Sequence, residues 1–223
     1  MSEEQRRQLQ QQLWNIANTL RGKMNADEYR DYILGFIFYK YLSEKIIRFG
    51  DAALEADGID FTSLDEKTEE GAAIIGAVKE AAVEELGYFL KPSELFHAIA
   101  KKGSNRLEED GGDESYNFIL GDLAKILKNI EQSTLGTESA DDFSNLFENL
   151  DLTSSKLGSS ENAKNELVAK VLSHLDKIDF NLSDTNADVL GDAYEYLIGE
   201  FAAGAGKKAG EFYTPQPVST LLA

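Results

Sequence analysis

The chain has 223 residues, of which 42% are hydrophobic, and its 40 acidic and 22 basic residues give a formal net charge of −18 at pH 7. This hydrophobic content excludes general disorder and allows one large domain or a domain with an appendage. The absence of cysteine excludes disulfides and thiolate metal sites, and the acidic surface disfavours nucleic-acid binding by this segment alone because it repels phosphates.

The first residues carry no targeting signal. They are Met-Ser-Glu-Glu-Gln-Arg-Arg, and they lack the apolar region of a signal peptide. The longest apolar run, residues 32–39, falls far short of the roughly 20 residues that a helix needs to cross a bilayer. These features predict a cytoplasmic protein.

His97 and His174 stand far apart in the sequence and are predicted to be helix-surface residues, so no metal site is expected.

Two long helices are predicted at the start of the chain. Residues 3–21 place apolar side chains at three- and four-residue steps, and Gly22 suits a C-cap. Asn25 and Glu28 form a capping-box pattern for a second helix, which runs to about Phe49. This second helix is apolar nearly all round and is therefore predicted to lie inside a bundle. Its aromatic residues favour core packing over a ligand-stacking platform.

Further helices are predicted through the middle of the chain, where no stretch shows the alternation typical of a strand. They cover residues 69–86 after a loop at 57–68, residues 92–101 beginning at Pro92, residues 116–130, a short segment at 141–150 and a stretch around 167–175. The predicted fold is therefore mainly α, a multi-helix domain without simple repeats.

The stretch from residue 101 to residue 113 is polar, charged and rich in glycine, which predicts a mobile surface loop. Its basic residues, Lys101, Lys102 and Arg106, could contact a phosphate backbone. Because three acidic residues follow directly at 108–110, we favour a solvated role for these cations.

A last helix over residues 184–201 leads into a stretch rich in glycine and proline. Residues 204–210, Gly-Ala-Gly-Lys-Lys-Ala-Gly, miss the spacing of both the dinucleotide fingerprint and the P-loop, and they indicate a flexible hinge. Thr214 can cap a helix, and Pro215 suits the first helical position. The plain interpretation of residues 210–217 is thus a turn and a helix cap.

A resemblance to a known family gives residues 210–215 a second interpretation. Their sequence, Gly-Glu-Phe-Tyr-Thr-Pro, resembles the segment that opens the catalytic domain of type I restriction-modification methyltransferase (M, or HsdM) subunits. Other stretches resemble the same subunits and follow in the order of that family: residues 13–17, 20–24, 28–29, 33–35, 40–43, 151–153, 156–158 and 192–198. The shared order favours a cofactor segment over a bare helix cap.

The resemblance implies a subunit that transfers a methyl group from S-adenosylmethionine to adenine N6 in DNA. Residues 1–203 would form a helical N-terminal domain for assembly and DNA clamping. Residues 204–223 would form the hinge and the first segment of an α/β methyltransferase domain that is missing from this chain. The implied cofactor-binding residues are Glu211, Phe212, Tyr213, Thr214, Pro215 and Gln216. The implied partners are the specificity subunit, the restriction subunit, a second M subunit and, in the assembled complex, DNA.

The motifs that would perform the reaction are absent from this chain. Adenine methyltransferases of the family use an Asn/Asp-Pro-Pro-Phe/Tyr motif, which holds the amino group of a base that has been flipped out of the helix. The chain contains no Pro-Pro pair and no glycine-rich strand-turn motif for the methionine end of the cofactor. No catalytic residue is therefore assigned, and the chain by itself is expected to be inactive.

The alternative is a non-enzymatic acidic helical interaction protein, either an adaptor or a DNA mimic. The net charge of −18 suits this alternative. The apolar helical face that begins after Pro215 argues against it, because a mimic is expected to keep its termini closed.

The charge yields a first prediction. At physiological salt the chain should bind duplex DNA weakly or not at all, because its few basic clusters are diluted by acidic residues. Fluorescence anisotropy with a labelled duplex measures this. Tight binding by the chain alone at the same salt would contradict the inferred charge distribution.

Overall fold

The computed structural model describes residues 3–20, 23, 26–104, 119–178, 191 and 195–196. Those residues form helices and turns, with no strand among them, so the predicted mainly α fold is confirmed. The α-helices are α1 (Glu3–Leu20), α2 (Ala26–Leu54), α3 (Glu69–Leu86), α4 (Phe96–Ser104), α5 (Leu120–Ser133), α6 (Ala140–Phe143) and α7 (Glu161–Asp176). Short 3-10 turns lie at Glu55–Asp57, Phe61–Ser63 and Pro92–Glu94.

Helix α3 has the boundaries that the sequence predicts, and local chemistry explains both ends. The Thr68 hydroxyl accepts a hydrogen bond from the Gly71 N–H at 3.0 Å and so caps the first turn. At the other end Gly87 adopts the left-handed conformation with φ of 82°, and its N–H donates to the Val83 carbonyl. Only glycine takes this conformation without strain, so the helix ends where the sequence places a glycine.

Two predicted boundaries are wrong. Helix α2 continues past Phe49 to Leu54. Pro92 opens only a short turn, and Leu95 is extended with φ of −69° and ψ of 147° before α4 starts. The Phe96 N–H donates to the Ser43 hydroxyl at 2.8 Å, which satisfies this backbone group from a neighbouring helix.

Helix α5 begins at Leu120 because the preceding residue is held from outside the helix. The Ile119 N–H donates to the Asn165 side-chain oxygen at 2.7 Å. The first residues of the predicted loop at 101–113 belong instead to α4, which ends at Ser104. The remaining predictions on residues 105–118, the caps at Gly22 and Asn25, and most of the helix at 184–201 lie outside the described residues.

Helix α2 is the interior element of the bundle, as its apolar sequence predicts. It contacts α1, α3, α4 and α7, and the largest contact between any two helices of the described part joins α4 to α7. Its most deeply buried aromatic side chain, Tyr39, packs against Phe96 with ring centres 5.3 Å apart. The other apolar side chains that α2 buries are Tyr32, Ile33, Phe36, Ile37, Leu42, Ile46 and Leu54.

Two helical glycines provide a matched test of this packing. A methyl group on Gly50 would lie 2.5 Å from the fully buried ring of Phe61, whereas one on Gly76 would meet nothing within 4 Å. We expect Gly76→Ala to raise the free energy of unfolding by about 0.5–1 kcal/mol through helix propensity. Gly50→Ala should lower it by about 1–3 kcal/mol through overpacking.

Urea unfolding followed by circular dichroism measures both changes. Equal stabilisation by the two substitutions would show that α2 is not packed against the 61–63 turn as described.

Candidate functional site

The residues assigned to a cofactor pocket by the sequence, Glu211, Phe212, Tyr213, Thr214, Pro215 and Gln216, lie outside the described residues, as does the hinge at 204–210. The last described residue before them is Tyr196, which is half-buried and packs against the hydrophobic core. Tyr196 therefore belongs to the helical bundle, and it precedes the predicted hinge and cofactor residues in the sequence.

Polar side chains on α2 hold the non-helical connection that runs from residue 88 to residue 96. The Tyr39 hydroxyl donates to the Glu94 carbonyl at 2.6 Å. In the opposite direction, the Tyr88 hydroxyl donates to the Leu42 carbonyl at 2.9 Å. Burial raises the pKa of both phenols, and the negative charge of Glu94 raises that of Tyr39 further. Both hydroxyls are therefore neutral donors at physiological pH.

A buried lysine accompanies these hydrogen bonds. Lys40 is 5% exposed, and its ammonium lies 2.5 Å from a carboxylate oxygen of Glu44. The same ammonium lies 5.5 Å from the centre of the Phe96 ring, within reach of a cation–π contact. A buried cation is tolerated only when it is paired, and Glu44 and the ring provide that pairing.

The segment after α6 is held from two sides. From α2, the Tyr32 hydroxyl donates to the Asp151 carbonyl at 2.5 Å, and Gly35 leaves room for the side chain of Leu150. From α7, the Lys164 ammonium donates to the Thr153 carbonyl at 2.8 Å. The Asp151 carboxylate accepts hydrogen bonds from the Thr153 hydroxyl and N–H, and these lower the pKa of Asp151.

An open cleft of about 440 Å³ lies between α5 and this segment. We call it the α5 cleft, and its apolar floor is formed by Leu127, Phe147, Leu150 and Leu152. Its rim carries Ala124, Lys128, Glu131, Asn145, Glu148, Asp151 and Thr153. Sequence reasoning missed this cleft, because the position of its second wall depends on contacts with Tyr32 of α2 and Lys164 of α7.

The two histidines do not meet. His97 is exposed on α4, and its Nδ1 lies 2.8 Å from a carboxylate oxygen of Asp176 on α7. His174 is half-buried, and burial together with Lys177 lowers its pKa.

Lys102, considered above as a possible phosphate contact, instead pairs with Asp122 of α5. In the described ranges no group of three or more His, Asp or Glu residues could hold a metal ion, and no helix is long and apolar enough to cross a membrane.

Comparison with known protein families agrees with this helical architecture. Residues 9–175, most of the chain and all of the bundle from the middle of α1 to the end of α7, match the HsdM N-terminal domain. The chain belongs to this family. The resemblance that the sequence motifs indicated is thereby confirmed. A further match to the N-6 DNA Methylase family covers residues 185–223.

Two similar proteins are named as methylase subunits of type I restriction enzymes. The chain is 36% identical over 223 residues to the type I restriction enzyme MpnII methylase subunit of Mycoplasma pneumoniae, a match that covers 99% of the chain and 39% of that protein. It is 22% identical over 215 residues to the type I restriction enzyme MjaIX methylase subunit of Methanocaldococcus jannaschii, covering 96% of the chain and 34% of that protein.

A solved structure shares the architecture. The crystal structure of the type I restriction-modification system methyltransferase subunit from Streptococcus thermophilus superposes with a TM-score of 0.70 at 36% identity, covering 97% of the chain and 43% of that protein. The chain therefore spans between 34% and 43% of the length of these relatives.

The buried phenol of Tyr39 gives a testable prediction. Tyr39→Phe leaves the Glu94 carbonyl without this donor and should lower the free energy of unfolding at neutral pH by about 1–2 kcal/mol. The folded-state pKa of Tyr39 lies above its ordinary value of 10.0. Its contribution to stability is therefore fully present below pH 10 and is lost as the pH rises further, because the unfolded state then ionises first.

Denaturant titrations across neutral and alkaline pH measure both effects. The decline in stability above pH 10 should be shallower in Tyr39→Phe than in the parent chain. An unchanged alkaline slope would contradict the burial of this hydroxyl.

Proposed function

We propose that this chain is the N-terminal part of the modification subunit of a type I restriction-modification system. The whole subunit uses S-adenosylmethionine to methylate adenine N6 in DNA. The observation that carries this proposal is the order of the two family matches, an HsdM N-terminal domain followed directly by the start of an N-6 DNA methylase domain.

The cofactor assignment rests on residues Glu211–Gln216, which fall within the N-6 DNA methylase match. In this proposal the ring of Tyr213 packs against S-adenosylmethionine. Thr214 and Pro215 hold the turn at the start of the next helix, because threonine caps a helix and proline suits its first position. Glu211, Phe212 and Gln216 line the same pocket.

The helical domain, residues 1–203, serves assembly and DNA clamping in the cytoplasm. Its partners are the specificity subunit, the restriction subunit and a second M subunit, with DNA bound by the assembled complex. The chain's net charge of −18 supports an indirect role, because this charge opposes binding of DNA phosphates by the segment alone. Residues 204–223 form the hinge and the first segment of the methyltransferase domain.

The decisive experiment uses the complete subunit. Tyr213→Ala should weaken S-adenosylmethionine binding by about 1–3 kcal/mol, the scale of losing a buried aromatic contact. Isothermal titration calorimetry measures the affinity, and circular dichroism checks that the helix content is unchanged. Tyr213→Phe is the matched control, because it keeps the ring and removes only the hydroxyl.

Equal cofactor affinity in the parent subunit and in Tyr213→Ala would return residues 210–215 to the interpretation as a turn and a helix cap.

The same preparations allow a methylation assay on DNA. The complete subunit should transfer methyl groups to adenine, in the presence of its specificity subunit, and the 223-residue chain alone should not, since it has no Pro-Pro motif.

A further inference from the structure

We propose that the α5 cleft is a docking site for a segment of a partner protein in which aliphatic side chains alternate with arginine or lysine. This inference concerns residues 124–153, none of which is among the proposed cofactor residues, and it goes beyond the proposed function. It rests on the combination of an apolar floor, an acidic rim and walls that are fixed by hydrogen bonds.

The floor of the cleft is a narrow apolar strip at the edge of the hydrophobic core. Phe147 and Leu150 are each 8% exposed and Leu152 is 9% exposed, whereas most core side chains of the bundle are more completely enclosed. Leu127 completes the floor from α5. A volume of about 440 Å³ accommodates a few aliphatic side chains of a partner, and covering this floor removes apolar surface from water.

The charge of the rim selects the partner. Three carboxylates, those of Glu131, Glu148 and Asp151, surround the floor, against one lysine, Lys128. The lowered pKa of Asp151 keeps its carboxylate ionised. Such a rim attracts cationic side chains and repels both acidic peptides and phosphates, so the complementary occupant is a basic protein segment rather than nucleic acid.

The walls of the cleft are already ordered. The Tyr32 hydroxyl and the Lys164 ammonium hold the carbonyls of Asp151 and Thr153 from opposite helices. On the α5 side, Glu131 accepts the Phe147 N–H at 3.5 Å. A preformed site loses little conformational entropy when a partner binds, which favours docking of an extended peptide.

The test uses the 223-residue chain with its leucine methyl groups labelled with ¹³C. The probe is an acetylated, amidated hexapeptide of alternating leucine and arginine, and the control probe replaces arginine with glutamate. The arginine peptide should shift the methyl resonances of Leu127, Leu150 and Leu152, and the glutamate peptide should not.

A matched pair of charge reversals locates the effect. Glu148→Lys at the rim should weaken binding of the arginine peptide roughly tenfold, because it replaces an attractive charge with a repulsive one. Glu84→Lys makes the same change at an exposed position of α3, away from the cleft, and should alter the affinity less than about twofold because solvent screens distant charges. Both positions are exposed, so neither substitution disturbs the core.

Four results would overturn the proposal. These are the absence of methyl shifts at millimolar arginine peptide, equal binding of the two peptides, equal weakening by the two charge reversals, and shifts of the same methyl resonances on addition of duplex DNA without peptide. The third result would assign binding to the overall charge of the chain, and the fourth would assign the cleft to nucleic acid.

Discussion

The hydrogen bonds that α2 makes to non-helical backbone are the constraint on which the rest of the domain depends. A helix in the middle of a bundle buries not only its own surface but also the connections that pass beside it. Those connections carry peptide groups that have no helical partner, and an unpaired buried peptide group costs about 1–3 kcal/mol. Tyr39 and Ser43 supply the missing partners for Glu94 and Phe96, and Tyr32 adds a second donor to the Asp151 carbonyl, which also accepts the Ser154 N–H.

This arrangement explains why an aromatic-rich helix uses tyrosine as well as phenylalanine. The ring of Tyr39 packs against Phe96 and contributes apolar contact, while its hydroxyl reaches the carbonyl of Glu94. Phenylalanine would keep the first contribution and lose the second. Ser43 is only 1% exposed, and it also provides a partner for a buried backbone group, because its hydroxyl accepts the first N–H of α4. A polar atom on the interior helix therefore helps to fix where α4 begins.

Charge is distributed differently in the interior and on the surface. The buried Lys40 is paired with Glu44, and the partly exposed Lys164 is shared between Glu161 and a backbone carbonyl. The cation Lys102 is likewise paired with an acid of another helix, Asp122. Lys102, one of the cations that the sequence left available for phosphate, is thus used within the bundle. The excess of acidic residues then dominates the surface, which favours basic protein partners over nucleic acid.

The sequence by itself determined the features that depend on neighbours along the chain. Thr68 and Gly87 mark both ends of α3, and the apolar character of α2 predicts its interior position. The ordered motifs identified the family without any structure. The tertiary structure alone decided that Pro92 opens only a turn and that α4 starts at Phe96, because the Phe96 N–H is bonded to Ser43, a partner distant in sequence. The α5 cleft is of the same kind: it joins α5 to residues 145–153 through contacts with α2 and α7, and periodicity along one segment carries no information about which other segment will face it.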